Sequence, residues 1–131
     1  MKKLLLITII LLLQSFPSFG EWKKMYSTSD GVSFINTDTI MKNEGLIYYD
    51  LLTNYFEPKR IFDSTNTSLS YIVRSVMNCK TKKIKGIRAV IYLDPMVNGK
   101  DLHIRHIDND WFDIKLKGEG GYGPIYNFLC K

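Results

Sequence analysis

The stretch YIVRSVMNCKTKKIKGIRAVIYL, residues 71–93, decides the fold of this chain. Apolar and polar side chains alternate along both of its arms, a pattern typical of half-buried β-strands. The polar residues 81–83 between the arms predict a hairpin turn. That turn places Met77 opposite Ile87 with both side chains in the core, and it points Cys79 inward.

Further strands are predicted on the N-terminal side of this hairpin. Alternating residues predict short strands over residues 22–27 and 32–36 and a longer strand over residues 46–56. Pro58 and its polar neighbours predict an irregular connection over residues 56–70.

The C-terminal side is predicted to add more strand and a helix. Pro124 is a favourable first helical residue, so residues 125–130 predict a short helix with Ile125, Phe128 and Leu129 against the sheet. The remaining predictions are a turn over residues 94–101 and strand arms over residues 102–108 and 111–116. The predicted fold class is therefore α+β: a mostly antiparallel sheet with one or two short flanking helices, joined by one disulfide.

The N-terminus predicts export. The chain has 131 residues, 45% hydrophobic and 24% charged, which fits one globular domain and excludes disordered and multi-span membrane proteins. Lys2 and Lys3 precede an apolar run over residues 4–13, about half the length needed to cross a bilayer. We expect residues 1–20 to be a cleaved secretory signal peptide and residues 21–131 to form the domain. No cysteine follows this signal, so we expect a periplasmic or secreted protein without a lipid anchor.

The two cysteines, Cys79 and Cys130, both lie in the predicted exported part. In an oxidising compartment such a pair predicts one disulfide, which would stabilise the domain by roughly 4 kcal/mol through loop closure. A catalytic or metal-binding thiol pair is the alternative. The absence of a C-x-x-C motif and of an adjacent histidine disfavours it.

The order of several short motifs resembles the surface-adhesin protein E family of Gram-negative bacteria. The motifs are Trp22, GVSFINTDTI over residues 31–40, Tyr48-Tyr49, Asn78-Cys79, Arg88, Trp111 and Cys130. The resemblance implies a compact domain with a mostly antiparallel sheet flanked by helix, one disulfide and a binding role at the bacterial surface or in the periplasm. The family's named member is a lipoprotein that binds host matrix and serum proteins. The chain departs from the family's lipoprotein member because it lacks the lipidation cysteine, and only Cys79 and Cys130 carry over as functional positions.

Basic residues are concentrated around the hairpin turn. Six of them and no acidic residue lie between Arg74 and Arg88. Such a cluster can attract acidic protein segments, sulfated glycans or lipid headgroups. Alternatively, these are solvated turn residues that protect a sheet edge from aggregation. The partner-binding candidates are Lys80, Lys82, Lys83, Lys85 and Arg88. Nucleic acid is disfavoured because the chain is predicted to be exported and has no reading motif.

No catalytic or cofactor site is predicted. His103 and His106 are three residues apart, so on a strand they point to opposite faces and would not share a metal ion. The glycine-rich residues 118–123 lack the Lys-Ser/Thr pair of a phosphate-binding loop. No G-x-S-x-G motif occurs. We therefore expect no metal, no cofactor and no enzymatic activity.

These observations predict an exported, non-enzymatic binding domain of the adhesin E type. Its predicted partner is a protein or an acidic polymer, and by resemblance a host matrix protein. The alternative is a structural or assembly factor of the periplasm, or an inhibitor of a periplasmic enzyme. The sequence predicts no particular oligomeric state.

Overall fold

The computed structural model describes residues 21–60, 67–94, 110–115 and 122–131, and the backbone alone of residues 101–106. The predicted signal peptide, most of the turn over residues 94–101 and most of the glycine-rich run lie outside these ranges. The elements in chain order are β1 (Trp22–Ser27), β2 (Gly31–Asn36), a 3₁₀ turn (Thr37–Thr39), β3 (Met41–Asn43), β4 (Leu46–Arg60), β5 (Thr67–Asn78), β6 (Lys83–Tyr92), β7 (Asp101–His106), β8 (Phe112–Asp113) and helix α1 (Gly123–Cys130).

All strands belong to one antiparallel sheet. Its order is β1-β2-β4-β5-β6-β7, so neighbours in the sheet follow one another along the chain except where β3 intervenes. Strand β3 pairs with the beginning of β4, and β8 pairs with the beginning of β6. The prediction of a mostly antiparallel sheet is confirmed. The α+β class fits only roughly, because the described residues are mostly sheet and contain one short α-helix.

Helix α1 covers one face of the sheet, which we call the packed face. The core on this face contains Ile35, Tyr49, Met77 and Ile84, with Ile125 and Leu129 from the helix. Phe128 was predicted to pack there but is 36% exposed. The reason is helical geometry: residues 125 and 129 are four apart and share a face, whereas residue 128 lies to one side of it. The opposite side of the sheet is called the open face.

The predicted pairing of the central hairpin is wrong. Met77 lies opposite Ile84, and Ile87 is an unpaired bulge residue between the pairs Arg74–Arg88 and Ser75–Gly86. The turn begins earlier in the sequence than predicted, and the side-chain amide of Asn78 explains why. Its Oδ1 atom accepts hydrogen bonds from the backbone N–H groups of residues 80 and 81, both at 3.1 Å. Ile84 is consequently in the core, and Ile87 is only half-buried.

Strand β4 is longer than predicted. It continues through Pro58 to Arg60, where it pairs again with the start of β5. Between the pairs Asn54–Ser70 and Lys59–Ser68, four residues of β4 face one residue of β5. Pro58 lies in this bulge, where its lack of an N–H removes no ladder hydrogen bond. The predicted connection is thus partly strand, and its residues 61–66 lie outside the described part.

Two glycine-dependent sites shape the N-terminal half of the sheet. A Cβ atom on Gly31 would lie 2.1 Å from the backbone oxygen of Asn54, so only glycine allows β2 to approach β4 this closely. Glu44 and Gly45 both have positive φ, 50° and 80°. This combination is typical of the tight turns that match strand twist, and here it joins β3 to β4.

Candidate binding surfaces

The turn between β5 and β6 and the first residues of β6 carry four of the five predicted partner-binding residues. We call the exposed region around this turn the tip surface: Lys80, Lys82, Lys83, Lys85, Trp111 and Phe112. Lysines 80, 82 and 83 are exposed, and Lys85 is half-buried. Trp111 and Phe112 are 39% and 42% exposed. The tip surface therefore combines positive charge with accessible aromatic area.

The disulfide holds the turn against the helix. Cys79 and Cys130 are bonded, with their Cα atoms 5.6 Å apart, as predicted for two cysteines in a chain expected to be exported. The Tyr126 hydroxyl also donates a hydrogen bond of 3.5 Å to the backbone oxygen of Cys79. These two links fix the position of the turn relative to α1.

Three lysines of the tip surface contact neighbouring side chains. Lys82 Nζ lies 6.0 Å from the ring centroid of Tyr126, and Lys85 Nζ lies 6.0 Å from that of Trp111. Lys83 Nζ is 3.9 Å from an oxygen of Asp113, which is 85% exposed. An ion pair this exposed contributes little, because water and salt screen it. Lys83 is therefore only weakly paired, and Lys80 and Lys82 form no ion pair with the described residues.

Arg88 does not belong to this cluster. It lies further along β6, opposite Arg74, on the open face. There it lines a groove of about 420 Å³ that also contains side chains of four other strands or their ends. We call this the arginine groove, and its polar and aromatic lining consists of Trp22, Asn36, Asp50, Arg74, Arg88 and Tyr92. Ile72 and Val90 complete the lining with apolar surface.

A row of three charged side chains crosses the arginine groove. Asp50, Arg74 and Arg88 are consecutive cross-strand partners on β4, β5 and β6. Arg74 Nη1 donates to Asp50 Oδ2 at 3.1 Å and to the backbone oxygen of Thr39 at 3.0 Å. None of the ion pairs among the described residues includes Arg88, which is exposed. The row therefore leaves one positive charge uncompensated.

The packed face contains a cluster of buried tyrosines. Burial, followed by the proximity of Tyr55, raises the pKa of Tyr71 to about 12. Burial, followed by the proximity of Tyr26, likewise raises the pKa of Tyr122 to about 12. Burial also raises the pKa of Tyr49 well above its ordinary value. These phenols stay neutral at physiological pH. Tyr49 belongs to the core, Tyr122 packs against it, and Tyr71 is partly buried.

The structure tests only part of the prediction for the two histidines. His103 and His106 lie on β7, where the backbone register sets His103 opposite Ile91 and His106 opposite Arg88. The strand assumed for this segment is thus confirmed. Side chains of residues 101–109 lie outside the described part, so the expected absence of a metal site stays a prediction.

Over the described ranges, no helix is long and apolar enough to cross a membrane.

Sequence reasoning missed most of the arginine groove. Only Arg88 was named as a candidate, and for a different surface. The available signal was Asp50, which is the only charged residue between positions 46 and 56. Trp22 and Tyr92 gave no comparable signal, because they meet only when the sheet order brings β1 and β6 to one groove.

The topology, the disulfide and the exposed basic surfaces define a class of small, disulfide-linked antiparallel-sheet domains without a recognisable catalytic centre in the described residues. Residues 22–131 match the sequence profile of the family described as Surface-adhesin protein E, and the chain belongs to this family. The fold is also similar to the structure of Haemophilus influenzae protein E, with a TM-score of 0.59 and 11% identity over 88% of this chain and 87% of that one. No curated protein sequence matches this chain significantly.

Proposed function

We propose that this protein is an exported, non-enzymatic binding domain that recognises a protein or polyanionic partner at the cell envelope or the host interface. Membership of a surface-adhesin family supports a binding role without chemistry. The observation that carries the proposal is the tip surface, in which lysines and exposed aromatic rings share one rigid end of the domain. We assign the partner contact to this surface.

The electrostatics of the tip surface favour an acidic partner. Lys80 and Lys82 take part in none of the ion pairs among the described residues, and the one carboxylate that pairs with Lys83 is itself highly exposed. Several lysines within about one Debye length add their potentials, which accelerates association with an anionic surface. The tip surface would therefore attract an acidic patch before contact.

The aromatic residues beside the lysines favour a folded protein over a bare polyanion. Trp111 and Phe112 are accessible, and aromatic side chains supply much of the binding energy in protein interfaces. A sulfated polymer would use the lysines and gain less from these rings. A protein with an acidic rim around an apolar patch would use both.

Charge reversal at the tip surface tests this proposal. The variant Lys80→Glu/Lys82→Glu should bind immobilised host matrix proteins with an association rate roughly tenfold lower, and with a weaker dependence on salt. The matched control is Lys24→Glu/Lys42→Glu, which makes the same change in net charge on exposed positions of β1 and β3. Equal rates for the two variants would contradict the proposal.

A second substitution distinguishes a protein partner from a sulfated polymer. Trp111→Ala should weaken binding to a protein partner and leave binding to a sulfated glycan nearly unchanged.

Protease treatment of intact cells tests where the protein is located. Digestion would support display at the surface, whereas protection would favour the alternative of a periplasmic assembly factor or enzyme inhibitor.

A further inference from the structure

We propose that the arginine groove is a second binding site, which takes a carboxylate attached to an apolar body. This site is separate from the tip surface and goes beyond the function proposed for it. The groove encloses about 420 Å³, which is within the usual range for small-ligand sites.

Arg88 supplies the anion contact. It is exposed, lies in the groove and has no carboxylate partner in the ion pairs of the described residues. A guanidinium presents parallel N–H donors that match the two oxygens of a carboxylate. Arg74 cannot take this role as readily, because Asp50 and the backbone oxygen of Thr39 already hold its Nη1 atom.

The charge balance selects a singly charged anion. Among the described side chains of the row, two arginines and one aspartate leave a single positive charge, and this matches one carboxylate. A phosphate dianion would bring a second negative charge close to Asp50, whose repulsion would oppose binding. The groove therefore favours a carboxylate over a phosphate.

The rest of the lining favours an apolar or aromatic ligand body. Trp22 and Tyr92 contribute ring surface, and Ile72 and Val90 contribute aliphatic surface, all beside the two arginines. Such a combination of a few fixed polar groups with apolar walls is typical of small-ligand sites. Two sources carry this chemistry: a free organic acid, and the C-terminal carboxylate of a peptide that ends in an apolar residue.

Tryptophan fluorescence of the purified protein, comprising residues 21–131, gives a direct test. The chain has two tryptophans, so Trp111→Phe leaves Trp22 in the groove as the reporter. The probes are 3-phenylpropionate and its uncharged amide, and a tetrapeptide ending in phenylalanine with a free or an amidated C-terminus. Saturable binding of an acid at least tenfold tighter than of its amide is the expected result. The tighter of the two acids identifies the source.

Substitutions in the same background locate the site. Arg88→Gln should weaken binding of the acid at least tenfold, and Arg88→Lys should be intermediate because it keeps the charge but loses the paired donors. Lys42→Gln, with the same loss of charge on β3, should bind like the parent. Lys80→Glu/Lys82→Glu should also keep acid binding, which separates this site from the tip surface. Unfolding midpoints check that each variant is folded.

Three outcomes would overturn the proposal. They are equal binding of acid and amide, an Arg88→Gln variant that binds like Lys42→Gln, and the lack of a saturable response to both acids at millimolar concentration. Loss of macromolecular binding at the tip surface would leave the proposal for the groove intact, because the two sites share no residue.

Discussion

Arg74 and Arg88 lie directly opposite each other on β5 and β6, and among the described residues only Arg74 has a carboxylate partner. Like charges in this position repel and destabilise a sheet by up to about 1 kcal/mol. The Asp50–Arg74 contact offsets that repulsion, since both side chains are mostly buried, with 21% and 26% exposed. The sheet thus tolerates a second arginine, for which the described residues supply no ion-pair partner, at the surface of the groove.

Removal of the Asp50 carboxylate should reveal the repulsion between Arg74 and Arg88. We expect Asp50→Asn to lower the free energy of unfolding by about 1–3 kcal/mol, because Arg74 loses a charge-assisted hydrogen bond and faces Arg88 without compensation. Urea denaturation measures the change. In the Asp50→Asn/Arg88→Gln double variant, part of the loss should be recovered. A double variant whose loss equals the sum of the single losses would show that the two charges do not interact.

The observed register of the central hairpin predicts unequal costs for two similar substitutions. Ile84→Ala should destabilise the domain by about 2–5 kcal/mol, because this side chain is only 2% exposed. Ile87→Ala should cost distinctly less, since the bulge residue is half-buried. Thermal or urea unfolding of the two variants compares them directly. A larger cost for Ile87→Ala than for Ile84→Ala would favour the pairing expected from sequence over the one in the structure.

The disulfide should contribute a substantial part of the stability. The double variant Cys79→Ser/Cys130→Ser should lose about 2–5 kcal/mol, because the unfolded chain regains the entropy of a large loop. Both cysteines are replaced so that neither thiol is left unpaired. Chemical denaturation with and without reductant gives the same comparison on the unaltered protein. Two thiols that react freely with an alkylating reagent in the native exported protein would argue against the bond.

Alkaline pH should destabilise the domain through its buried tyrosines. Tyr71 and Tyr122 have pKa values raised to about 12 in the folded state, against an ordinary value of 10.0. The unfolded chain therefore loses phenol protons first, so stability is complete below pH 10 and falls as pH rises toward 12. Unfolding midpoints as a function of pH measure this loss.

A tyrosine substitution controls for the lysines that titrate in the same range. Tyr122→Phe should flatten the decline between pH 10 and 12 relative to the parent, because one of the shifted phenols is gone. Phe112, whose ring centroid lies 6.1 Å from that of Tyr122, can still pack against the substituted ring. A decline of unchanged steepness would assign the alkaline effect to other groups.

The sequence by itself determined the type of sheet and its covalent link. Alternation along residues 71–78 and 84–92 predicts strands, and the tight turn between them requires antiparallel neighbours. The disulfide followed from two cysteines in a chain whose N-terminus predicts export. These features depend on local pattern and composition, which can be read from the sequence without knowledge of the tertiary contacts. The family resemblance was also present in short motifs distributed along the chain, and the profile match confirms it.

Tertiary structure alone decided which side chains meet. The side-chain amide of Asn78 begins the turn early, and a bulge at Ile87 then changes the face of every following residue. Periodicity cannot reveal a one-residue slip, because the pattern of alternation looks the same on either side of it. The arginine groove depends on the same register together with the sheet order that brings Trp22 near β6. Its residues are separated by up to seventy positions in sequence, and only the folded sheet makes them neighbours.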